Sequence, residues 1–122
     1  MTAWTDKQLA EIGGAGEIEI APMGADGKLR PSRTIWVARL GDDLYIRSVN
    51  GPEGAWFRAL EARHAGRITA AGVNTEVVFE DADHELDDAI DEEYRRKYGD
   101  SSSVDRITAE AARSTTIRLF PV

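Results

Sequence analysis

A chain of 122 residues has the length of one domain and hardly of two. It is 42% hydrophobic and 30% charged, the composition of a folded globular protein, and its lack of cysteine removes disulfides, thiolate nucleophiles and cysteine-ligated metal centres. A net charge of −7 argues against a nucleic-acid or anionic-membrane partner, which needs a basic footprint, and no apolar run reaches the ~18–20 residues of a membrane span.

Thr5 reads as a helix cap, with Gln8 placed to reach back and Trp4 placed to staple onto Leu9; Gly13 and Gly14 stop that helix. Glu17–Ile20 alternates with period two, which turns Ile18 and Ile20 inward. Asp26-Gly27 marks a tight turn, Ser32–Leu40 a strand, Gly41-Asp42-Asp43 a second turn and Leu44–Ser48 the partner strand. Pro52 is suited to the first position of a helix running to about Arg63, which buries Trp56 and Leu60. Strands at Arg67–Ala71 and Asn74–Glu80 hinge at Gly72. The longest helix spans His84–Tyr98, with Leu86, Ile90, Tyr94 and Tyr98 four apart on one face, acidic first turns, a basic last turn and Gly99 as its stop. A loop at Ser101–Ser103, a turn or two of helix within Thr108–Arg113 and a strand at Thr115–Phe120 complete the chain. The expectation is a single α+β domain over residues 1–122, with about six mostly antiparallel strands and three or four helices. Such a sheet removes its edges best by closing into a small barrel, with the helix between strands three and four over one mouth.

Most local chemistry is excluded by spacing. The acidic run Glu80–Asp88 lacks the glycine and ligand spacing of a calcium loop, and neither His64 nor His84 has a spaced partner for zinc. Ser101–Ser103 sits in no nucleophile elbow, and the Gly13–Gly16 cluster precedes a strand where a dinucleotide fingerprint would follow one. The charge, however, is uneven. Residues 28–67 hold eight basic and four acidic side chains, so that stretch is +4 and the remainder −11. Either these arginines are scattered over a solvated surface, or they form a local anion site suited to a small phosphorylated ligand.

Gly24–Val37 runs through a basic hairpin into a strand, followed by Gly41-Asp42-Asp43, the strand to Ser48, the loop Val49-Asn50-Gly51 and the helix with Trp56-Phe57-Arg58-Ala59-Leu60. This order resembles the FMN-binding split barrels: the pyridoxamine 5'-phosphate oxidase-like flavoproteins and, nearest, the deazaflavin-dependent nitroreductases and quinone reductases. The helix departs from that branch in carrying Ala59 where it has Asn, and the loop reads Ser-Val-Asn-Gly, which points to an uncharacterised bacterial branch. The resemblance implies a split β-barrel, a deazaflavin or FMN cofactor, a homodimer with the pocket between subunits, and hydride transfer to a small organic acceptor. The alternative is a ligand-binding or structural dimer without redox activity.

A flavin phosphate needs guanidinium forks and backbone amides. Lys28, Arg30 and Arg33 at the hairpin, Thr34 beside them, and Arg47 and Ser48 ending the next strand are the expected cofactor contacts. Asn50 and Gly51 offer loop amides, and Trp56 either flanks the ring or joins the core. Alternation sets Arg47 on the face of Tyr45 and Ser48 on that of Leu44 and Ile46, so a regular strand cannot aim both at one ligand. With the cofactor carrying the chemistry no protein acid or base is required, so the catalytic side chains are left open, and no metal is expected from the spacing of the candidate ligands. Trp4, Trp36, Tyr45 and Trp56 supply more aromatic surface than a small core readily hides, which also suggests a dimer. The start MTAWTDKQLA lacks an apolar signal region, so the expected location is cytoplasmic.

Overall fold

The structure, a computed structural model, describes residues 3–122. Helix α1 (Asp6–Gly13) opens with the expected capping box: the Thr5 hydroxyl accepts from the Gln8 amide, and the Gln8 side chain accepts from the Thr5 amide. The chain then forms β1 (Ile18–Pro22), β2 (Arg33–Ile35), β3 (Ala38–Leu40), β4 (Asp43–Ile46), α2 (Ala55–Leu60), β5 (Ala65–Ala70), β6 (Val73–Asp81), α3 (Asp87–Tyr98), α4 (Ser102–Ile107), α5 (Glu110–Arg113) and β7 (Ile117–Pro121). The described residues thus hold seven strands and five α-helices, one strand and at least one helix more than the sequence suggested.

The extra strand comes from the segment Ser32–Leu40. It is two strands, not one, and they lie at opposite edges of the sheet, whose order is β2-β1-β5-β6-β7-β4-β3. Every pairing is antiparallel. A flat sheet of seven strands would separate its edges by six spacings of about 4.8 Å, roughly 29 Å. Only Trp36 and Val37 connect β2 to β3, a reach of about 11 Å at most. The sheet must therefore curl until its edges nearly meet, which makes it a split barrel.

At that crossing the backbone has no strand partner, and Val37 is fully buried. The last turn of α3 supplies the missing partners: Lys97 Nζ donates to the Val37 carbonyl at 2.8 Å, and the Val37 amide donates to Tyr98 Oη at 3.4 Å. Tyr98 Oη in turn donates to the Gly16 carbonyl at 2.9 Å.

Alternation along β4 divides the core in two. Leu44 and Ile46 join Ile18, Ile20, Ile68 and Leu119 inside the barrel, whereas Tyr45 points outward with Ala38 against Ile90 and Tyr94 of α3. Leu60 is buried in the inner cluster, and Trp56 and Phe57, edge to face with each other at 6.1 Å, pack against that cluster, so α2 closes one end of the barrel as expected. Pro52 does not begin that helix. It belongs to a separate 3-10 turn, Gly51–Glu53, because the chain must first turn sharply at Gly51, where φ is +71°.

The aromatic surplus is smaller than the sequence suggested. Trp4 is 7% exposed, with Nε1 donating to the Leu119 carbonyl at 2.9 Å, and Tyr45 is 2% exposed. Both are hidden within their own chain, which leaves Trp36 and Trp56 half-buried. No helix among the described residues is long and apolar enough to cross a membrane.

Candidate functional site

A cleft of about 440 Å³ opens where the split in the barrel, the loop after β4, the start of α2 and the body of α4 meet. Volumes of this order hold small-molecule and cofactor ligands. Arg33, Thr34 and Trp36 come from β2 and the crossing, Val49 and Asn50 from the loop, Gly54 to Trp56 from the helix start, and Ser103 and Arg106 from α4. Of the nine residues expected from sequence, Arg33, Thr34, Asn50 and Trp56 face this cleft together.

Arg47 borders the cleft too, but its guanidinium does not serve it. The side chain is fully buried. Nε donates to Thr116 Oγ1 at 2.9 Å, one terminal nitrogen to the Asp91 carboxylate and the Ile107 carbonyl (3.1 Å), and the other to the Asp87 carbonyl at 3.1 Å. Tyr94 lies beneath it, 5.4 Å from ring centre to Cζ. Burying an unpaired guanidinium would be prohibitive, and α3 answers with two aspartates one turn apart. The expectation that Arg47 holds a phosphate is corrected: its charge is neutralised and its donors are spent.

The Gly51 amide is committed as well. The Gly51 amide donates to the Ser48 carbonyl at 2.9 Å and the Gly54 amide to the Gly51 carbonyl at 3.0 Å, so the Gly51 amide cannot also face a ligand. Ser48 lies beneath the cleft, its amide donating to Thr115 Oγ1 at 2.8 Å. Its Oγ is buried without a hydrogen-bond partner, and a Cβ on Gly54 would come within 2.3 Å of it. The side-chain-free position 54 thus thins the floor over that hydroxyl. Lys28 and Arg30 stay at the hairpin, where Arg30 pairs with Asp26 at 3.6 Å, and neither lines the cleft.

Sequence reasoning missed Arg106. Ser101 caps α4 by accepting from the Val104 amide at 3.2 Å, and Val104 and Ile107 anchor the helix, which leaves Arg106 outside. Its terminal nitrogen donates to Asn50 Oδ1 at 3.1 Å, 56 residues away in sequence. The signal available was a serine cap with apolar residues three and six positions on. Arg33 and Arg106 have no carboxylate partner among the described residues, and no Asp or Glu lines the cleft. On a chain of net charge −7 the wall therefore carries two uncompensated positive charges. Half-buried Trp36, stacked on Tyr98 at 3.9 Å, and Trp56 add aromatic surface.

The fold recurs among solved structures. A conserved hypothetical protein Rv2991 from Mycobacterium tuberculosis superposes with a TM-score of 0.65 at 13% identity, covering 98% of this chain and 79% of that one. A structure described as an F420 reductase gives 0.65 at 13% identity, covering 98% and 96%. A putative 5-nitroimidazole antibiotic resistance protein from Bacteroides thetaiotaomicron gives 0.58 at 18% identity, covering 97% and 80%. Identities this low carry the fold. None of the curated proteins matches the chain. The family described as "Uncharacterized protein conserved in bacteria (DUF2255)" matches residues 8–119. The chain belongs to that bacterial family, DUF2255, and it shares its split-barrel fold with these three structures.

Proposed function

We propose that the cleft holds a deazaflavin or FMN and that the protein is an oxidoreductase passing hydride to a small organic acceptor. The observation that carries this reading is the pair of arginines without a carboxylate partner, Arg33 and Arg106, on a wall that holds no carboxylate. The residues fit such a cofactor: the two guanidinium groups suit a phosphate, the half-buried Trp56 suits a flat ring, and the orphaned Ser48 Oγ beneath Gly54 is a polar atom without a protein partner. When bound, the reduced cofactor supplies the hydride. The chain's own part is to bind, orient and exclude water. Arginine stays protonated, and the wall holds no His, Lys, Tyr, Asp or Glu to move a proton. The neighbours described as an F420 reductase and a nitroimidazole resistance protein support the same direction, F420 being a deazaflavin.

Hydride transfer is tested by reducing the bound cofactor and adding a nitroaromatic or quinone acceptor. The reading expects acceptor loss well above that with free cofactor. Cofactor retention without any acceleration would favour the second reading, a ligand-binding module without redox activity. The lack of a proton-moving side chain in the wall is the observation on that side.

The working unit in this proposal is a homodimer. Its support is local: Val49, 39% exposed, sits at the cleft with half-buried Trp36 and Trp56, an apolar rim suited to a second copy. Light scattering should give twice the 13.4 kDa chain mass, and a monomer at micromolar concentration would contradict the shared pocket.

A further inference from the structure

We propose that a second cleft, with Arg39 and Lys97 on its wall, binds a small oxyanion, a phosphate or a carboxylate. The cleft measures about 460 Å³ and is lined by Gly13, Arg39, Gly41, Glu93, Arg96 and Lys97. Glu93, the single carboxylate in that lining, already takes both bonds of Arg96, at 2.8 and 2.9 Å. Arg39 and Lys97 remain, and neither has a carboxylate within ion-pair reach among the described residues.

Both cations are held in place and keep free donors. Arg39 lies along Gly13, where an added Cβ would come 3.1 and 3.2 Å from its Cβ and Cδ. Its Nε donates to the Gly41 carbonyl at 2.9 Å, and its two terminal nitrogens are left over. Lys97 spends one N–H on the Val37 carbonyl at 2.8 Å and stands 5.0 Å from the Tyr98 ring centre, which leaves two N–H groups. Burial alone pushes its ammonium down to about 8, the expected consequence of a half-sheltered charge without a counter-ion. An anion between the two would supply that counter-ion through charge-assisted hydrogen bonds. The site shares no lining residue with the first cleft, so it stands or falls apart from the cofactor reading.

The test is calorimetric titration of inorganic phosphate, and separately acetate, at fixed ionic strength. The protein carries Arg33→Ala and Arg106→Ala to silence the first cleft. The proposal expects saturable binding of at least one of the two anions. Adding Lys97→Met or Arg39→Met, each checked for folding by circular dichroism, should weaken it roughly tenfold or more. Arg39 is exposed, so its variant keeps the test valid if Lys97→Met disturbs the crossing at Val37. No saturation by either anion below about 10 mM would overturn the site, as would equal affinity in the Arg39→Met protein.

Discussion

Arg47 and Asp91 form an ion pair that water hardly reaches, with side chains 0% and 7% exposed. Asp87 shares the same guanidinium, and its Oδ1 accepts from Thr116 Oγ1 at 3.1 Å. Arg113 adds a second cation, 3.7 Å from Asp91 and 2.9 Å from Asp88. The network fastens α3 and the end of α5 to the strand end below the cleft. It sets the position of the loop carrying Val49 and Asn50, which follows directly on that strand end.

Removing one partner leaves the other buried and unpaired. Asp91→Ala or Arg47→Met should each cost about 3–5 kcal/mol in urea denaturation, a large share of the roughly 5–15 kcal/mol typical of a domain. Replacing both together, Arg47→Met with Asp91→Leu, should cost clearly less than the sum of the two. Additive losses would mean that the pair is not energetically coupled.

The β5–β6 hairpin offers a stabilising substitution. Ala70 pairs with Val73, so the turn is Ala71-Gly72, with φ of +52° and +79°. Both signs are positive, as in a type I′ turn, and an alanine there pays for a left-handed backbone that asparagine or glycine tolerates better. Ala71→Asn should raise stability by about 0.5–1 kcal/mol in thermal or urea denaturation, and Gly72→Ala should lower it by a similar amount. A loss from Ala71→Asn would contradict the turn assignment.

The alkaline limb of stability has two opposed contributors. Lys97 titrates near 8 when folded and at its ordinary 10.5 when unfolded, so the unfolded chain binds more protons between these values. Stability from this group therefore rises with pH across that window, and its cost is fully present below 8. Tyr98, pushed up to about 12 by burial, does the reverse: its contribution is lost as pH climbs from 10 towards 12. Burial drives Tyr94 in the same direction. Relative to Lys97→Met, the wild-type protein should gain up to about 1 kcal/mol between pH 7.5 and 9.5, in buffer without phosphate, the half-exposed site limiting the size. A flat difference would contradict the sheltered environment of Lys97.

What was legible in the sequence was local. The Thr5–Gln8 box, the inward Ile18 and Ile20, and the four-residue spacing of Ile90, Tyr94 and Tyr98 depend on neighbours within a turn, and all stand in the structure. The break at Trp36–Val37 was not legible, because both halves have strand-forming residues and nothing within the segment shows that the first pairs back with β1 while the second pairs forward with β4. The site follows the same division. Arg33 and Trp56 sit in strand and helix segments that pattern identifies, and they reach the cleft. Arg47 was misassigned because an arginine at a strand end reads the same whether it meets a phosphate or two aspartates. The clue lay forty residues on: Asp87 and Asp91 are four apart beside Ile90 and Tyr94 on one helix. They read as complements to the helix dipole, yet that spacing turns both towards the core. Arg106 escaped because the six-residue α4 is too short for periodicity to announce it.

In the proposed function, Arg33 and Arg106 make the first cleft an anion-ended cofactor site. The most direct measurement is titration of FMN and of a deazaflavin, followed by tryptophan fluorescence at fixed salt, into wild type, Arg33→Ala and Arg106→Ala. Each arginine removed should weaken binding about 10- to 100-fold, the equivalent of one charge-assisted hydrogen bond of roughly 1.5–3 kcal/mol, while Lys28→Ala should change it little. Binding of neither cofactor by the wild-type protein, or equal affinity in both arginine variants, would contradict the account.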